Sequence, residues 1–436
     1  MDIAIIGGGV SGLGAAWALS GKHAVTLYER EARLGGHANT VTIDYDGVTL
    51  DVDTGFVVFN DLNYPQFSSL LRQLNVQSRP SDMSFSVSDA TGYEWSSNGL
   101  RGLFAWKRNL SDPTFLRLLA DIAAFGARAR TDLRHARVGS ESLGEYVDGL
   151  NLSRAFLEQY LLPMGGAIWS TPEQEMLRYP AAAFLQFFDN HRLLQFGARP
   201  VWRTIDGGSR AYVERLRAAI RARFICDEEV VAISRSEGGI ELRTRSGYIA
   251  RHDGVVVATH SDEALALLDA TAAEQQALNA IRYAPNTAFL HRDPDLMPHR
   301  RAAWASWNYL RSRAEHQTSV CVTYWMNALQ GFDNARPLFV TLNPPRPPRA
   351  ALTFATFTYN HPQFDAPAIA AQRQIATIQG ANNTWFAGAW LGHGFHEDGL
   401  SSGLRAAALV SQHFARDMGP IVGDARWSIP ENTAAA

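Results

Sequence analysis

The sequence is poor in cysteine and lysine and has no long apolar run. Only two cysteines occur in 436 residues and neither lies in a CxxC motif, so neither a disulfide framework nor a metal site is expected. No segment approaches the roughly 18 uncharged apolar residues of a membrane-spanning helix. The net charge of -3 gives no overall attraction to nucleic acid. These absences favour a cytoplasmic protein, and a strand starting at Asp2 is expected to leave no room for a signal peptide.

The N-terminal residues predict a nucleotide-binding βαβ unit. An apolar strand at 2–6 precedes Gly7-Gly8-Gly9-Val10-Ser11-Gly12, which fits the pattern GxGxxG and opens a predicted helix at 11–20. In such a unit Gly7 makes the tight turn, Gly9 lets the backbone approach a diphosphate, and Gly12 allows helix and strand to pack closely. A structural turn is the alternative interpretation of the glycines alone.

Two further segments favour FAD over NAD. Glu29 ends the second predicted strand, where its carboxylate can accept bonds from ribose hydroxyls, and the pair Gly35-Gly36 lets the chain lie along a diphosphate. Near the C-terminus, a strand at 384–387 is followed by a glycine-rich segment at 394–403 that opens a helix, whose N-terminus can face a flavin ring. The GxGxxG pattern does not occur a second time, so the sequence gives no sign of a separate NADPH-binding domain. Since neither cysteine lies near the C-terminal segment, the FAD is expected to be non-covalent.

The distribution of strands predicts a discontinuous nucleotide domain. Strand-rich blocks occur near the N-terminus, at 224–260 and at 384–387, whereas 100–200 is helix-like and 285–365 alternates as strands do. We predict an α/β fold with a discontinuous, Rossmann-like FAD-binding domain and a mixed α+β substrate domain inserted into it. The predicted FAD-binding domain comprises 1–80, 201–270 and 380–424, the substrate domain 81–200 and 271–379, and a tail 425–436.

Several of these segments resemble the FAD-dependent amine oxidase and phytoene desaturase superfamily. The likeness lies in residues 33–40, 53–57, 163–170, 258–262, 301–309 and 394–399. It is nearest to a bacterial subgroup of predicted NAD/FAD-binding proteins associated with cyclopropane and furan fatty-acid synthesis. The resemblance implies an amine-oxidase-like fold, a fatty-acyl or phospholipid substrate, and a lipid methyltransferase as partner.

The resemblance also implies which residues contact FAD. His37 stands where the family usually has an arginine, and Ala389 stands where it usually has an acid. The implied cofactor-binding residues are Gly7, Gly9, Ser11, Gly12, Glu29, Arg30, Arg33, Gly35, Gly36, His37, Thr54, Gly55, Phe56, Val230, Gly388, Ala389, Asp398, Gly399 and Leu400.

The predicted reaction is desaturation or oxidation of an unsaturated, methyl-branched or unbranched, acyl chain by hydride transfer to flavin N5. A C–H bond is a poor hydride donor unless it is allylic, so the substrate needs a double bond, and electrons would leave to oxygen or a quinone. Candidate catalytic residues are His396, Glu397, Tyr359 and Asn360. An apolar chamber is expected to draw on a subset of the following residues, the others belonging to an ordinary core: Phe156, Leu157, Met164, Ile168, Trp169, Phe184, Phe187, Phe188 and Trp325.

Three alternatives remain open at this point. The first is amine oxidation. Amine oxidases of the family generally use a lysine beside the flavin, and this chain has only Lys22 and Lys107, neither in a suitable segment. The others are a polyisoprenoid or carotenoid desaturase, and a non-catalytic flavin-bearing protein that presents lipid to a methyltransferase.

Residues 101–137 are rich in arginine with interleaved apolar residues, which predicts a peripheral contact with the inner face of a membrane or, alternatively, a solvated helical face.

Overall fold

The computed structural model describes residues 1–89, 91–195, 197, 199–311 and 320–418, so the predicted tail 425–436 and residues 419–424 lie outside the described residues. The helices are α1 (Val10–Leu19), α2 (Pro65–Gln73), α3 (Gly99–Leu103), α4 (Pro113–Arg134), α5 (Leu143–Asp148), α6 (Arg154–Phe156), α7 (Leu162–Trp169), α8 (Glu173–Leu177), α9 (Ala181–Asn190), α10 (Arg210–Ala219), α11 (Ser261–Leu267), α12 (Ala272–Asn279), α13 (Met326–Gln330), α14 (Ala366–Ile378) and α15 (His396–Met418).

The strands are β1 (Asp2–Ile6), β2 (Ala24–Tyr28), β3 (Thr40–Tyr45), β4 (Val48–Asp53), β5 (Val58–Asn60), β6 (Ser78–Pro80), β7 (Phe85–Asp89), β8 (Glu94–Ser96), β9 (Trp202–Ile205), β10 (Arg223–Ile225), β11 (Val230–Ser236), β12 (Gly239–Thr244), β13 (Ile249–His252), β14 (Gly254–Val257), β15 (Arg282–His291), β16 (Trp307–Arg311), β17 (Val322–Trp325), β18 (Phe339–Leu342), β19 (Thr353–Gln363) and β20 (Thr384–Phe386).

A parallel sheet forms the first half of the molecule. Its strand order is β10-β2-β1-β14-β20, and every neighbouring pair is parallel. The central strands are apolar and buried on both faces because helices cover them, which is why they appear as short uninterrupted apolar runs. The strands predicted at 2–6, 23–28, 224–226, 255–258 and 384–387 are confirmed, and the α/β fold class with them.

Helices α1 and α15 pack closely on this sheet through small residues. A Cβ added to Gly403 would lie 2.0 Å from the Ser11 carbonyl oxygen, and one added to Gly14 would lie 2.7 Å from the Leu400 side chain. This contact joins the first thirty residues to the last described helix, so the two glycine-rich segments meet across about 380 residues of intervening sequence.

The second half of the molecule combines a mostly antiparallel sheet with a group of helices. The seven-stranded sheet has the order β19-β15-β18-β17-β16-β7-β8, in which only β16 and β7 pair in parallel. Helices α3 to α9 pack around an apolar core that includes Phe125, Phe156, Phe184 and Phe188. The helical character predicted for 100–200 and the strands predicted for 285–365 are confirmed. Among the described helices, none is long and apolar enough to cross a membrane.

Candidate functional site

The turn after β1 leaves an open space at the N-terminus of α1. Gly7 has a φ of +104°, and a Cβ there would lie 2.8 Å from the Ala258 carbonyl oxygen. A Cβ on Gly12 would lie 1.9 Å from the Gly7 carbonyl oxygen, so only glycine allows this close packing of helix on turn. At Gly9, by contrast, an added Cβ would have no atom of the described part of the chain within 4 Å. The backbone N–H groups of the first helical turn therefore face free space that suits an anionic group.

A second glycine segment, Gly35-Gly36, packs against this turn. The Gly35 N–H donates to the Gly8 carbonyl at 2.8 Å, and a Cβ on Gly36 would lie 3.2 Å from the Gly9 Cα. One Arg33 guanidinium nitrogen donates to the Gly36 carbonyl at 3.0 Å. The backbone at His37, just after this pair, packs against Gly55. A Cβ added to Gly55 would lie 2.2 Å from the His37 carbonyl oxygen, so a larger residue would not fit there.

Glu29 lies at the carboxyl end of β2 on the same cavity wall. Its carboxylate accepts a hydrogen bond from the Gly8 N–H at 2.6 Å and one from the Glu31 N–H at 2.9 Å. A carboxylate has about four acceptor positions, so capacity for ribose hydroxyls remains. Neighbouring Arg30 is held by an ion pair of 2.9 Å with Glu263.

A single cavity of about 1070 Å³ runs from these turns to the second half of the molecule. Predicted cofactor residues on its wall are Gly7, Gly9, Ser11, Glu29, Arg30, Arg33, Gly35, Gly36, His37, Thr54, Gly55, Phe56, Val230, Gly388 and Ala389. An open glycine turn, a helix N-terminus, an arginine and a ribose-type carboxylate lie along one wall. These residues fit an adenine dinucleotide and would hold FAD.

Four predicted cofactor residues do not reach the cavity wall, and for three of them the structure corrects the prediction. Asp398 turns back to accept bonds from the His393 and Phe395 N–H groups at 3.1 and 2.9 Å. Gly399 and Leu400 pack against α1 instead, because the first turn of α15 directs them there. The fourth, Gly12, lies between helix and turn. The C-terminal segment reaches the cavity through residues 388–390 and 393–396 instead.

His396 lines the cavity but is engaged by other side chains. Its ring stacks on Phe56 with a centroid distance of 3.9 Å, and its Nε2 shares a hydrogen bond of 2.7 Å with the Tyr212 hydroxyl. Burial lowers the pKa of His396 to about 3, so the ring is neutral at physiological pH. This environment favours a packing role over the predicted role as a base.

Glu397 faces away from the cavity, which contradicts its predicted catalytic role. Its two carboxylate oxygens accept hydrogen bonds from the Gln66 and Phe67 N–H groups, at 2.8 and 2.9 Å. These donors are unpaired groups at the first turn of α2, so Glu397 caps that helix from a distant part of the chain. Burial raises its pKa to about 7.

Tyr359 and Asn360 both lie on the cavity wall, as predicted catalytic residues would. The Tyr359 hydroxyl forms hydrogen bonds of 2.7 Å with the Thr54 hydroxyl and 2.9 Å with the Asn39 side-chain amide. Burial raises the pKa of Tyr359, so the phenol stays protonated. Asn39 did not emerge from the sequence, although it lies in the segment that carries the family resemblance.

The far part of the cavity is an apolar chamber. Of the predicted chamber residues, Met164, Ile168, Trp169 and Phe187 line it. The others do not line it: Phe156, Phe184 and Phe188 are buried in the helical core, and Leu157 and Trp325 lie off the cavity wall. The apolar residues that sequence reasoning missed are Phe85, Leu193, Trp307, Tyr324, Met326, Leu329, Val340, Leu342 and Phe357.

Comparisons with known proteins agree with this architecture. A family model described as flavin containing amine oxidoreductase matches residues 10–295. No curated protein matches the sequence. Among solved structures, a candidate protoporphyrinogen oxidase from Exiguobacterium sp. is 16% identical with a TM-score of 0.67, covering 94% of this chain and 99% of its own.

Two further solved structures share the fold. A fatty acid isomerase from P. acnes that produces CLA is 17% identical with a TM-score of 0.63, covering 94% of this chain and 98% of its own. Cyclohexylamine oxidase from Brevibacterium oxydans is 16% identical with a TM-score of 0.65, covering 95% and 99% of the two chains. At these identities the likeness shows the fold.

Proposed function

Because the chain belongs to the family of flavin-containing amine oxidoreductases, we propose that this FAD-dependent oxidoreductase desaturates or oxidises unsaturated fatty-acyl chains. The observation that carries the proposal is the apolar chamber, which continues the dinucleotide end of the cavity without a break. An acyl chain placed there would meet mainly hydrocarbon and aromatic surface, and its burial would be favourable.

One part that the resemblance associates with amine oxidation is missing from the chamber. Within the described residues no lysine lines the cavity, so the lysine that the resemblance associates with amine oxidation has no counterpart. Aromatic rings instead form a continuous wall: Phe187 stacks on Phe395 with a centroid distance of 5.0 Å and lies 4.7 Å from the Trp169 ring. This surface matches a chain of methylene groups better than a polar head.

The chemistry divides between the cofactor and the chain. Bound FAD would supply the hydride acceptor, and the proton lost from the neighbouring carbon would pass to a water molecule oriented by Tyr359 and Asn360. The side chains of the chamber would hold the allylic carbon in place and exclude water, and such positioning provides most of the rate gain available without a strong base. On the wall, Tyr359 keeps its proton and is fixed by Thr54 and Asn39, so it can orient a double bond or a water but does not act as a ready base.

The structural neighbours support a lipid substrate in one respect. One of them is a fatty acid isomerase, so the shared fold accommodates a fatty acid in at least one protein. Another is an amine oxidase, so the fold alone does not choose between the two substrate classes. The choice rests on the residues of the chamber.

Anaerobic mixing of the purified yellow protein with candidate substrates tests the proposal. We expect linoleate, or a phospholipid that carries it, to bleach the flavin absorbance, whereas stearate and primary amines leave it unchanged. Bleaching by an amine but by no acyl chain would overturn the proposal in favour of amine oxidation. Bleaching only by a polyisoprenoid would indicate that class of desaturase, and lipid binding without any bleaching would indicate a non-catalytic lipid-presenting partner.

We also propose that the protein docks on anionic lipid through the surface around Leu100 and Leu110, which are 74% and 59% exposed. Arg101, Lys107 and Arg108 lie beside them in sequence. This surface takes in only the start of the predicted segment 101–137, together with the preceding residue Leu100. Phe125 of that segment is buried in the core, and the ion pairs Arg117–Asp121 and Arg128–Asp132 neutralise part of its charge.

A further inference from the structure

Three partly buried histidines from distant parts of the sequence meet on the cavity wall. The ring of His37 lies 5.7 Å from the ring of His361 and 6.1 Å from the ring of His260. His37 follows the second glycine pair, His260 precedes α11, and His361 belongs to β19. We refer to these three residues as the histidine cluster. Because each comes from a different element, only the folded chain creates this concentration of imidazoles.

The histidine cluster adjoins the turn that would hold the diphosphate of FAD. His37 directly follows Gly36, whose backbone is in contact with Gly9. Gly9 is the position at which the chain leaves open space in front of the N-terminus of α1. A bound diphosphate would therefore bring negative charge to the segment on which the cluster is built.

The surroundings of His37 disfavour its protonation while no anion is near. Burial lowers the pKa of His37 well below its usual value, and the neighbouring His361, His260, His396 and Arg33 act in the same direction. Its ring also lies 5.0 Å from the phenol of Tyr359, which burial keeps protonated. Without an anion, His37 is therefore neutral at pH 7.

The other two members are also neutral at pH 7. Burial lowers the pKa of His361 to about 4, and its Nδ1 lies 3.2 Å from the Asn286 side-chain amide. Burial lowers the pKa of His260, although the carboxylates of Glu263 and Asp262 oppose this shift and Arg30 adds to it. The His260 ring also stacks on the neutral phenol of Tyr283 at 4.4 Å.

We propose that the histidine cluster is a proton-accepting part of the FAD diphosphate site, so that binding of FAD takes up a proton from solvent onto this cluster. The diphosphate carries two negative charges, and Arg33 is the fixed side-chain cation beside the second glycine pair. A proton on an imidazole would supply a second cation where the buried anion needs it. The inference depends on the cofactor alone and is independent of which substrate the enzyme oxidises.

The sign of the linkage follows from the two states. The FAD-free cluster is neutral, whereas the FAD-bound cluster holds an additional proton, so higher pH must favour release of FAD. If one proton is taken up, the Kd for FAD rises up to about tenfold per pH unit across the range in which only the bound form is protonated.

Calorimetric titration of the FAD-free full chain with FAD at pH 7 tests the proposal. Run in two buffers with different ionisation enthalpies, it should give an uptake of about one proton per FAD bound. As a second measurement, FAD release from the diluted holoenzyme should be faster at pH 8.5 than at pH 6, as followed by flavin fluorescence. No proton uptake together with pH-independent release would overturn the proposal.

Two variants locate the effect within the cluster. His37→Arg carries a permanent charge and should keep FAD bound while the proton uptake falls toward zero. His361→Gln should reduce the uptake through loss of one imidazole, without the larger side chain of arginine. The exposed His135, which lies outside the cavity, provides the matched control as His135→Gln and should leave the uptake unchanged. Undiminished uptake in both cluster variants would rule out the cluster as the proton acceptor.

Discussion

The parallel-sheet half and the helical half build their parts of the cavity in different ways. Around β1 and α1 the wall is largely backbone, and glycines decide its shape because any side chain would collide with a neighbouring carbonyl or occupy the space for the cofactor. In the helical half the wall consists of large side chains such as Trp169 and Phe187. The first half is thus constrained by a cofactor that many proteins share, and the second by the substrate, which differs among them.

The strongest test of this comparison is a methyl group added to the turn. In Gly12→Ala, the new Cβ would lie 1.9 Å from the Gly7 carbonyl oxygen, so the helix must move away from the turn. We expect a loss of about 3 kcal/mol in the free energy of unfolding, as measured by urea titration of the FAD-free protein. FAD content after purification should also fall sharply.

Gly9→Ala is the matched control, because none of the residues that the structure describes lies within 4 Å of its added Cβ. The unfolding free energy of the FAD-free variant should stay within about 0.5 kcal/mol of wild type. Its Kd for FAD should nevertheless rise by roughly tenfold or more, since the methyl group takes space beside the diphosphate. If Gly9→Ala and Gly12→Ala lowered the free energy of unfolding equally, glycine at position 9 would be required by the fold and not by the cofactor.

An intermediate effect is expected where Glu397 joins α15 to α2 within the parallel-sheet half. Glu397→Ala removes the acceptor for two N–H groups at the start of α2, which should cost about 1–2 kcal/mol. Burial raises the pKa of Glu397 from 4.5 to about 7, so its contribution to stability declines as pH rises through that range, and the cost of removal should be largest near pH 5.

The same variant separates a helix cap from a catalytic base. Since Glu397 faces away from the cavity, the rate of flavin bleaching per FAD-loaded molecule should be unchanged in Glu397→Ala. A fall of 100-fold or more in this rate, with wild-type stability, would instead restore the catalytic role predicted from the sequence.

The sequence predicted the sheet half well because its signals are local. The strand, the glycine turn and Glu29 lie within about thirty residues, and each glycine has a steric reason visible in the motif itself. The direction of a side chain at the start of α15 is a different matter. His396 and Asp398 are two positions apart, about 200° around the helix, so a shift of two residues in the predicted start reverses which of them faces the cavity.

For the helical half, the sequence predicted which kinds of residue are present but not which of them line the chamber. Phe184 and Phe187 stand in one helix with similar neighbours in sequence and are both buried, yet Phe187 lines the chamber and Phe184 does not. Which face of α9 meets the chamber depends on where α7 and the seven-stranded sheet are placed, and that order of strands has no local signal. The histidine cluster was missed for the same reason, since His260 and His361 each resemble ordinary loop or cap residues until the fold brings them to His37.

The smallest expected effect concerns the outer surface of the helical half, where no cofactor or core constrains the residues. The double variant Leu100→Ser/Leu110→Ser should bind vesicles containing phosphatidylserine roughly tenfold more weakly than wild type, because two leucines no longer insert between the headgroups. Leu62→Ser/Ile249→Ser removes two comparably exposed apolar side chains elsewhere, at 52% and 54% exposure, and should bind as wild type does. Raising the salt concentration should weaken the binding of all three proteins, since Arg101, Lys107 and Arg108 would act through screened charge. If the wild-type protein fails to co-sediment with these vesicles at low salt, the surface is a solvated helical face, and the substrate must reach the chamber by another route.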